Sequence, residues 1–223
     1  MCGIAGYFGF NDISLIKNML KVLKHRGPND EGIFIGKNVA LGNRRLSIID
    51  IKSGKQPIHN ENKKIWITYN GEIYNFQELR NSLLKLGHKF YTKTDTECIV
   101  HAYEEWGTKC LKKLNGMFAF AIWDSDKKIL FLARDRFGIK PLYYCTLNKK
   151  FIFASEIKAI LQDKTIPRVP NDKIIYQYLI DGVHDHSEET FFLGIKRLLP
   201  AHFMIVSKKK IKIKKYWDVK VNQ

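Results

Sequence analysis

Leu15, Ile16, Met19, Leu20 and Leu23 recur at helical spacing and define one apolar face, with Asn11 or Asp12 placed to cap the helix that carries them. Residues 3–8 ahead of it read as a buried strand opening straight from the N-terminus, and His25-Arg26-Gly27-Pro28-Asn29-Asp30 behind it as a turn. Further strands are predicted at 31–36, 38–43 and 64–70. Asn75 followed by Glu78 reads as a capping box for a helix that runs to Leu86 and stops at Gly87. A second helix is predicted from Thr94-Asp95 to Trp106, with Gly107 after it. Two hairpins follow, 117–124 with 128–134 and 141–147 with 151–155, then helices near 156–162 and 171–180 and a last hairpin of 202–207 with 210–217. Strands arrive as antiparallel pairs and helices cluster between the first of them. That predicts an α+β fold in which helix layers cover antiparallel sheets.

Composition narrows the class. The chain has 223 residues, 45% hydrophobic and 27% charged, a globular mixture that excludes disorder as the dominant state. No apolar run approaches the roughly 18–20 residues of a membrane span, and the opening residues lack a basic signal-peptide region, so a soluble, cytoplasmic protein with no membrane partner is expected. The cysteines at 2, 98, 110 and 145 form no paired spacing, which fits a reducing compartment and argues against zinc. His184-Asp185-His186 offers two metal ligands without neighbouring cysteines, so no metal site is assigned. The 38 basic against 22 acidic residues give a net charge of +16, which invites a nucleic-acid reading. Against it, the lysines are scattered and no nucleic-acid-binding signature accompanies them. Within the densest run, Lys208 to Lys215, Ile211 and Ile213 alternate with lysine and Tyr216 follows, which reads as a strand with a solvated lysine face.

Three features suggest chemistry. Cys2 would become the N-terminal residue if Met1 were removed, placing a thiol beside a free α-amine whose pKa of about 7.7–8.0 suits it to take the thiol proton. In Asn70-Gly71 a side-chain amide and a backbone N–H can point at one oxygen, as neutral donors that stabilise an oxyanion, though the same pair is also a common turn. Arg44, Arg45 and Asp95 offer the charges that an α-amino acid demands, although Asp95 also reads as a helix N-cap.

The opening Met1-Cys2-Gly3-Ile4-Ala5-Gly6 resembles the start of class II glutamine amidotransferases, whose domain is an N-terminal-nucleophile hydrolase. Further segments resemble one branch, the glutamine-hydrolysing asparagine synthetases: Arg26 to Asp30, Arg45 to Asp50, Gln56-Pro57-Ile58, Asn70 to Asn75, Thr94 to Glu97, Asn115 to Phe120, Ala133 to Tyr144 and Ala154 to Ala159, in the family's order, with Tyr216-Trp217 near the domain's end. The resemblance implies a four-layer αββα sandwich of two stacked antiparallel sheets over residues 1–217, with 218–223 a tail or the start of a linker. It implies Cys2 as nucleophile with its own amine as base, and Asn70 and Gly71 as the oxyanion hole. Arg45 would hold the carboxylate of L-glutamine, Glu72 and Asp95 its ammonium, and Leu46, Ser47, Ile48 and Ile49 would line the pocket. Asn43 departs from the His or Glu expected beside the arginine pair.

The family's ATP-pyrophosphatase domain, with its Ser-Gly-Gly-Leu-Asp-Ser-type phosphate loop, is not in this sequence. ATP and Mg are therefore expected only in a synthetase domain or subunit that takes the ammonia, and no cofactor is expected here. A homodimer stays open as a further partner. Rival readings are an amidotransferase serving another acceptor and a catalytically silent basic module.

Overall fold

The computed structural model describes residues 1–51, 53–183 and 185–219. Two six-stranded sheets, antiparallel throughout, lie face to face. The first runs β10 (Ile195–Arg197), β8 (Tyr143–Leu147), β9 (Lys150–Ala154), β1 (Gly3–Phe8), β3 (Val39–Arg45), β2 (Asp30–Gly36). The second runs β12 (Ile211–Lys215), β11 (His202–Val206), β7 (Ile129–Arg134), β6 (Gly116–Asp124), β5 (Ile65–Ile73), β4 (Ile58–His59). Between them Ile4, Leu41, Ala119, Leu132, Phe153 and Met204 form a buried core. Strands buried on both faces need near-continuous apolar sequence, and β1 and β6 have it.

Helices close the outer faces. α1 (Ile13–Val22) lays its predicted stripe of Leu15, Ile16, Met19 and Leu20 on the first sheet beside the short α4 (Ile157–Ile160). α2 (Phe76–Lys85) and α3 (Asp95–Trp106) cover the second through Leu79, Leu83, Ile99 and Tyr103. The result is the four-layer αββα sandwich. α5 (Asp172–Asp181) stands apart, with only Ile174 buried. No helix among the described residues is long and apolar enough to cross a membrane.

The structure departs from the predicted elements at informative places. Asp12 caps α1 by accepting from the Leu15 N–H at 2.8 Å. Asn75 does not cap α2, because its amide bridges the Lys113 carbonyl and the Asn115 N–H, tying the helix start to the β6 approach. Thr94, not Asp95, caps α3, and that leaves the Asp95 carboxylate for other work. β12 exposes both its faces: Ile211 and Ile213 are 38% and 41% exposed, because the strand lies at the sheet edge with no layer packed over it. Its lysines then discourage edge-to-edge pairing. The short strands β4 and β10 carry too few residues to show an alternation.

Candidate active site

Cys2 immediately precedes β1, a central strand of the first sheet held between β3 and β9. Its main chain is pinned from two sides. Arg26 Nε donates to the Cys2 carbonyl at 2.9 Å while Arg26 Nη1 reaches Glu156 at 2.9 Å. One residue pair on, the Ile4 N–H donates to Ser155 Oγ at 3.0 Å and the Ser155 N–H to the Ile4 carbonyl at 2.9 Å. The sulfur sits 3.4 Å from the Leu46 nitrogen, which donates to it. Burial pushes the Cys2 thiol above its ordinary pKa, outweighing the Leu46 N–H and the Arg45 charge that favour thiolate. The thiol is therefore protonated at neutral pH and needs a base to attack anything.

Opposite Cys2 runs β5, and its backbone directions define the second half of the site. The segment Asn70-Gly71-Glu72 is strand, not a turn, because it pairs along its whole length with β6, Asn70 opposite Ala119 and Gly71 opposite Phe118. Phe118 gives its carbonyl to the Asp135 N–H and its own N–H to Asp135 Oδ2. Gly71 consequently belongs to a non-hydrogen-bonded pair, and its N–H points away from β6. The N–H groups of Tyr69 and Ile73, which share that direction, are taken by Gln56 Oε1 at 2.7 Å and Asp95 Oδ2 at 3.0 Å. That leaves the N–H of Gly71 aimed into the cleft between them. Glycine is required here by close approach: a Cβ would run into the Met117 carbonyl and the Phe118 backbone. Beside it, the Asn70 side chain is 1% exposed and its Nδ2 has no hydrogen-bond partner. A buried orphan donor is costly unless function uses it.

These groups line one cavity of about 210 Å³, bounded among others by Cys2, Arg45, Leu46, Asn70, Gly71 and Asp95. Arg45, 4% exposed, is fixed by the carbonyls of Ile49, Asp50 and Ile51 at 2.9, 2.7 and 3.3 Å. Those acceptors are neutral and the ion pair with Asp30 is long, at 3.7 Å, so Arg45 presents a positive wall. Asp95 supplies the negative one. Burial raises its pKa, while hydrogen bonds from the Tyr69 hydroxyl, the Ile73 N–H and the Thr96 N–H favour the carboxylate. Burial pushes Tyr69 well above its ordinary range, and neighbouring Asp95 adds to this, so its hydroxyl keeps its proton and donates at 2.7 Å. Glu72, partly exposed, adds a carboxylate with no ion-pair partner among the described residues.

Nine of the ten predicted site residues therefore share the cavity: Cys2, Arg45, Leu46, Ile48, Ile49, Asn70, Gly71, Glu72 and Asp95. Ser47 does not line it; its N–H bonds Asn29 Oδ1 at 3.1 Å instead. Sequence reasoning assigned no role to Gln56, Tyr69 or Lys140, which also line the wall. Gln56 and Lys140 stood inside recognised segments, so the signal was present without a function attached. Asn43, the departure from the family pattern, is fully buried and donates to Gln56 Oε1, Thr68 Oγ1 and the Tyr69 carbonyl, buttressing β5 from behind. Of the histidine pair considered for metal, His184 lies outside the described residues; Asp185 between them pairs with Arg197.

Two stacked antiparallel sheets flanked by helices are the arrangement that the resemblance to N-terminal-nucleophile hydrolases implies. Residues 1–217 match the family described as glutamine amidotransferase domain, and the chain belongs to that family of enzyme domains. It is 38% identical to asparagine synthetase [glutamine-hydrolyzing] 3 of Bacillus subtilis (strain 168), over 98% of this chain and 37% of that protein. It is 40% identical to asparagine synthetase [glutamine-hydrolyzing] 2 of the same organism, over 98% of this chain and 31% of that protein. The chain thus spans about a third of these relatives' length. Among solved structures, the glutamine phosphoribosylpyrophosphate amidotransferase of B. subtilis shares the fold with a TM-score of 0.70 at 20% identity, covering 97% of this chain and 49% of that one.

Proposed function

We propose that the chain hydrolyses the side-chain amide of L-glutamine to glutamate and ammonia, and that the ammonia serves ATP-dependent asparagine synthesis from aspartate on a synthetase domain or subunit. The observation that carries the hydrolysis is the orphaned, buried Asn70 Nδ2 beside the inward-facing Gly71 N–H, across one cavity from the Cys2 sulfur. Two neutral donors at fixed positions suit an oxygen that becomes charged only as the amide carbon is attacked.

In this reading Met1 is removed, and the freed α-amine of Cys2 takes the thiol proton. Sulfur bonds to the amide carbon and the carbonyl electrons move onto oxygen, where Asn70 and Gly71 hold them. Collapse breaks the C–N bond; the protonated amine hands its proton to the departing nitrogen, and ammonia leaves. A water then adds to the γ-glutamyl thioester, its proton passing through the same amine to sulfur, and glutamate departs. Arg45 faces the substrate carboxylate, while Asp95 and Glu72 face its ammonium. A ligand lacking either charge forfeits its pairing with Arg45 or with Asp95 and Glu72, which is how glutamine is distinguished from simple amides.

The asparagine step rests on the similarity to glutamine-hydrolysing asparagine synthetases. Glutamate release from glutamine tests the first half: it is expected with the processed chain and lost in Cys2→Ala, and a Cys2→Ala chain with undiminished release overturns it. For the second half, an asparagine synthetase domain supplied in trans with ATP and aspartate is expected to form asparagine from the released ammonia. Asparagine that appears with added ammonia but never with glutamine contradicts the delivery role.

A further inference from the structure

About two turns along α3 from Asp95, four side chains converge that the proposed reaction does not use. His101 and Glu104 lie on α3, His88 in the loop after α2, and Glu61 in the turn after β4. One donor atom from each lies within 4.8 Å of the others. His101 Nδ1 is 3.6 Å from Glu104 Oε2 and 3.6 Å from Glu61 Oε2. His88 Nδ1 is 3.7 Å from Glu104 Oε2, and its 3.9 Å approach to Glu61 is to the other carboxylate oxygen, Oε1. These spacings are too long for charge-assisted hydrogen bonds, which run at about 2.7–2.9 Å. The three that join one ligand atom per residue, His101 Nδ1 to Glu104 Oε2 and Glu61 Oε2 and His88 Nδ1 to Glu104 Oε2, are close to the edges of a tetrahedron whose centre sits about 2.0–2.2 Å from each nitrogen or oxygen.

Two independent observations point to an occupant. His101 is fully buried, yet neither ring nitrogen has a hydrogen-bond partner, and Glu104 Oε2 is likewise buried and unbonded. The groups behind the four donors are also arranged as metal ligands require. The opposite nitrogen of each imidazole faces a carboxylate, His101 Nε2 toward Glu97 at 3.5 Å and His88 Nε2 toward Glu105 at 3.3 Å. The non-facing oxygen of Glu104 accepts from Asn60 Nδ2 at 2.9 Å, and Oε1 of Glu61 from the Lys89 N–H at 2.8 Å. Such backing carboxylates and donors orient the rings and sharpen the ligands' basicity.

We infer that Glu61, His88, His101 and Glu104 form a structural site for a divalent transition-metal ion, with Zn²⁺ the ion whose tetrahedral nitrogen–oxygen preference it fits best. The ion ties the turn after β4, the loop after α2 and the body of α3 together, and so steadies the helix whose first residue is Asp95. A proton is the rival occupant: burial lowers the His101 pKa, but Glu104, Glu97 and Glu61 outweigh it and hold it up to about 9. The long nitrogen–oxygen spacings favour the larger ion.

The test uses the whole chain, stripped with a chelator, dialysed and titrated with ZnCl₂, with metal counted by elemental mass spectrometry and folding followed by circular dichroism. One Zn²⁺ per chain and a raised unfolding temperature are expected, in Cys2→Ser as well as in the unaltered protein. His88→Gln is expected to weaken binding by roughly 100-fold or more, and Glu105→Gln, behind the ligand, by about 10-fold. Glu61→Gln sits on the surface, and if His88→Gln fails to fold it reads the same loss. Absence of stoichiometric binding, binding that disappears in Cys2→Ser, or binding indifferent to folded His88→Gln and Glu61→Gln each overturns the site.

Discussion

Asn70 carries more of the proposed chemistry than any residue except Cys2, because its unbonded Nδ2 has no structural use to compete with catalysis. Asn70→Ala is expected to lower kcat by about 10²–10³-fold with little change in KM, the effect of deleting one oxyanion donor. Steady-state glutamate release gives both constants, and a change confined to KM contradicts the role. Cys2, Asn70, Gly71, Arg45 and Asp95 stood out in the sequence by residue type and Glu72 through the resemblance, and the structure brings them to one cavity. Gln56 was assigned no role. Its contribution is to occupy the Tyr69 N–H from a different segment and to receive Asn43, and neither partner can be identified from the residues beside it. The orphan state of Asn70 is equally a property of three dimensions.

Among the elements, β1 needs an external anchor because a chain terminus frays unless it is tied down. Arg26 and Glu156 supply it at Cys2, and Ser155 at Ile4. Burial raises the Glu156 pKa, but hydrogen bonds from Arg26, His25 and Lys158 outweigh that and hold it down to about 2 from an ordinary 4.5. A depressed carboxylate stabilises the fold fully above its unfolded value and loses that contribution as pH falls toward the folded one. Unfolding temperature is therefore expected to drop between pH 4.5 and 2, and less steeply in Glu156→Gln; identical acid limbs contradict the anchor. Most elements were legible from periodicity, α1 down to its stripe, with its cap narrowed to Asn11 or Asp12 and resolved as Asp12. Failures came where side chains had two uses. Asn75 satisfies the capping pattern but bonds Lys113 and Asn115, and Asn70-Gly71 has turn chemistry yet stays in strand because β6 runs alongside.

For the molecule as a whole, the contact between the sheets holds Cys2 opposite β5. Phe153 is fully buried in that layer, and its ring lies close against Gly6 of β1. Phe153→Ala is expected to cost about 3–5 kcal/mol in urea unfolding, and under 1 kcal/mol would mean the layer is not the principal core. The stacking of two sheets was legible only through resemblance, since hairpin patterns fix neighbours within a sheet and not which faces meet. The +16 charge, conspicuous in composition, maps partly to the edge strand β12, away from the cavity. The proposal stands or falls on Cys2 acting from the chain's own terminus. Glutamate release should be measured with protein shown by intact mass to begin at Cys2, beside protein retaining Met1 and the Cys2→Ala variant. Release by the first alone is the expected result. Equal release by the Met1-retaining chain would show that the α-amine is not the base, and release surviving in Cys2→Ala would remove the nucleophile itself.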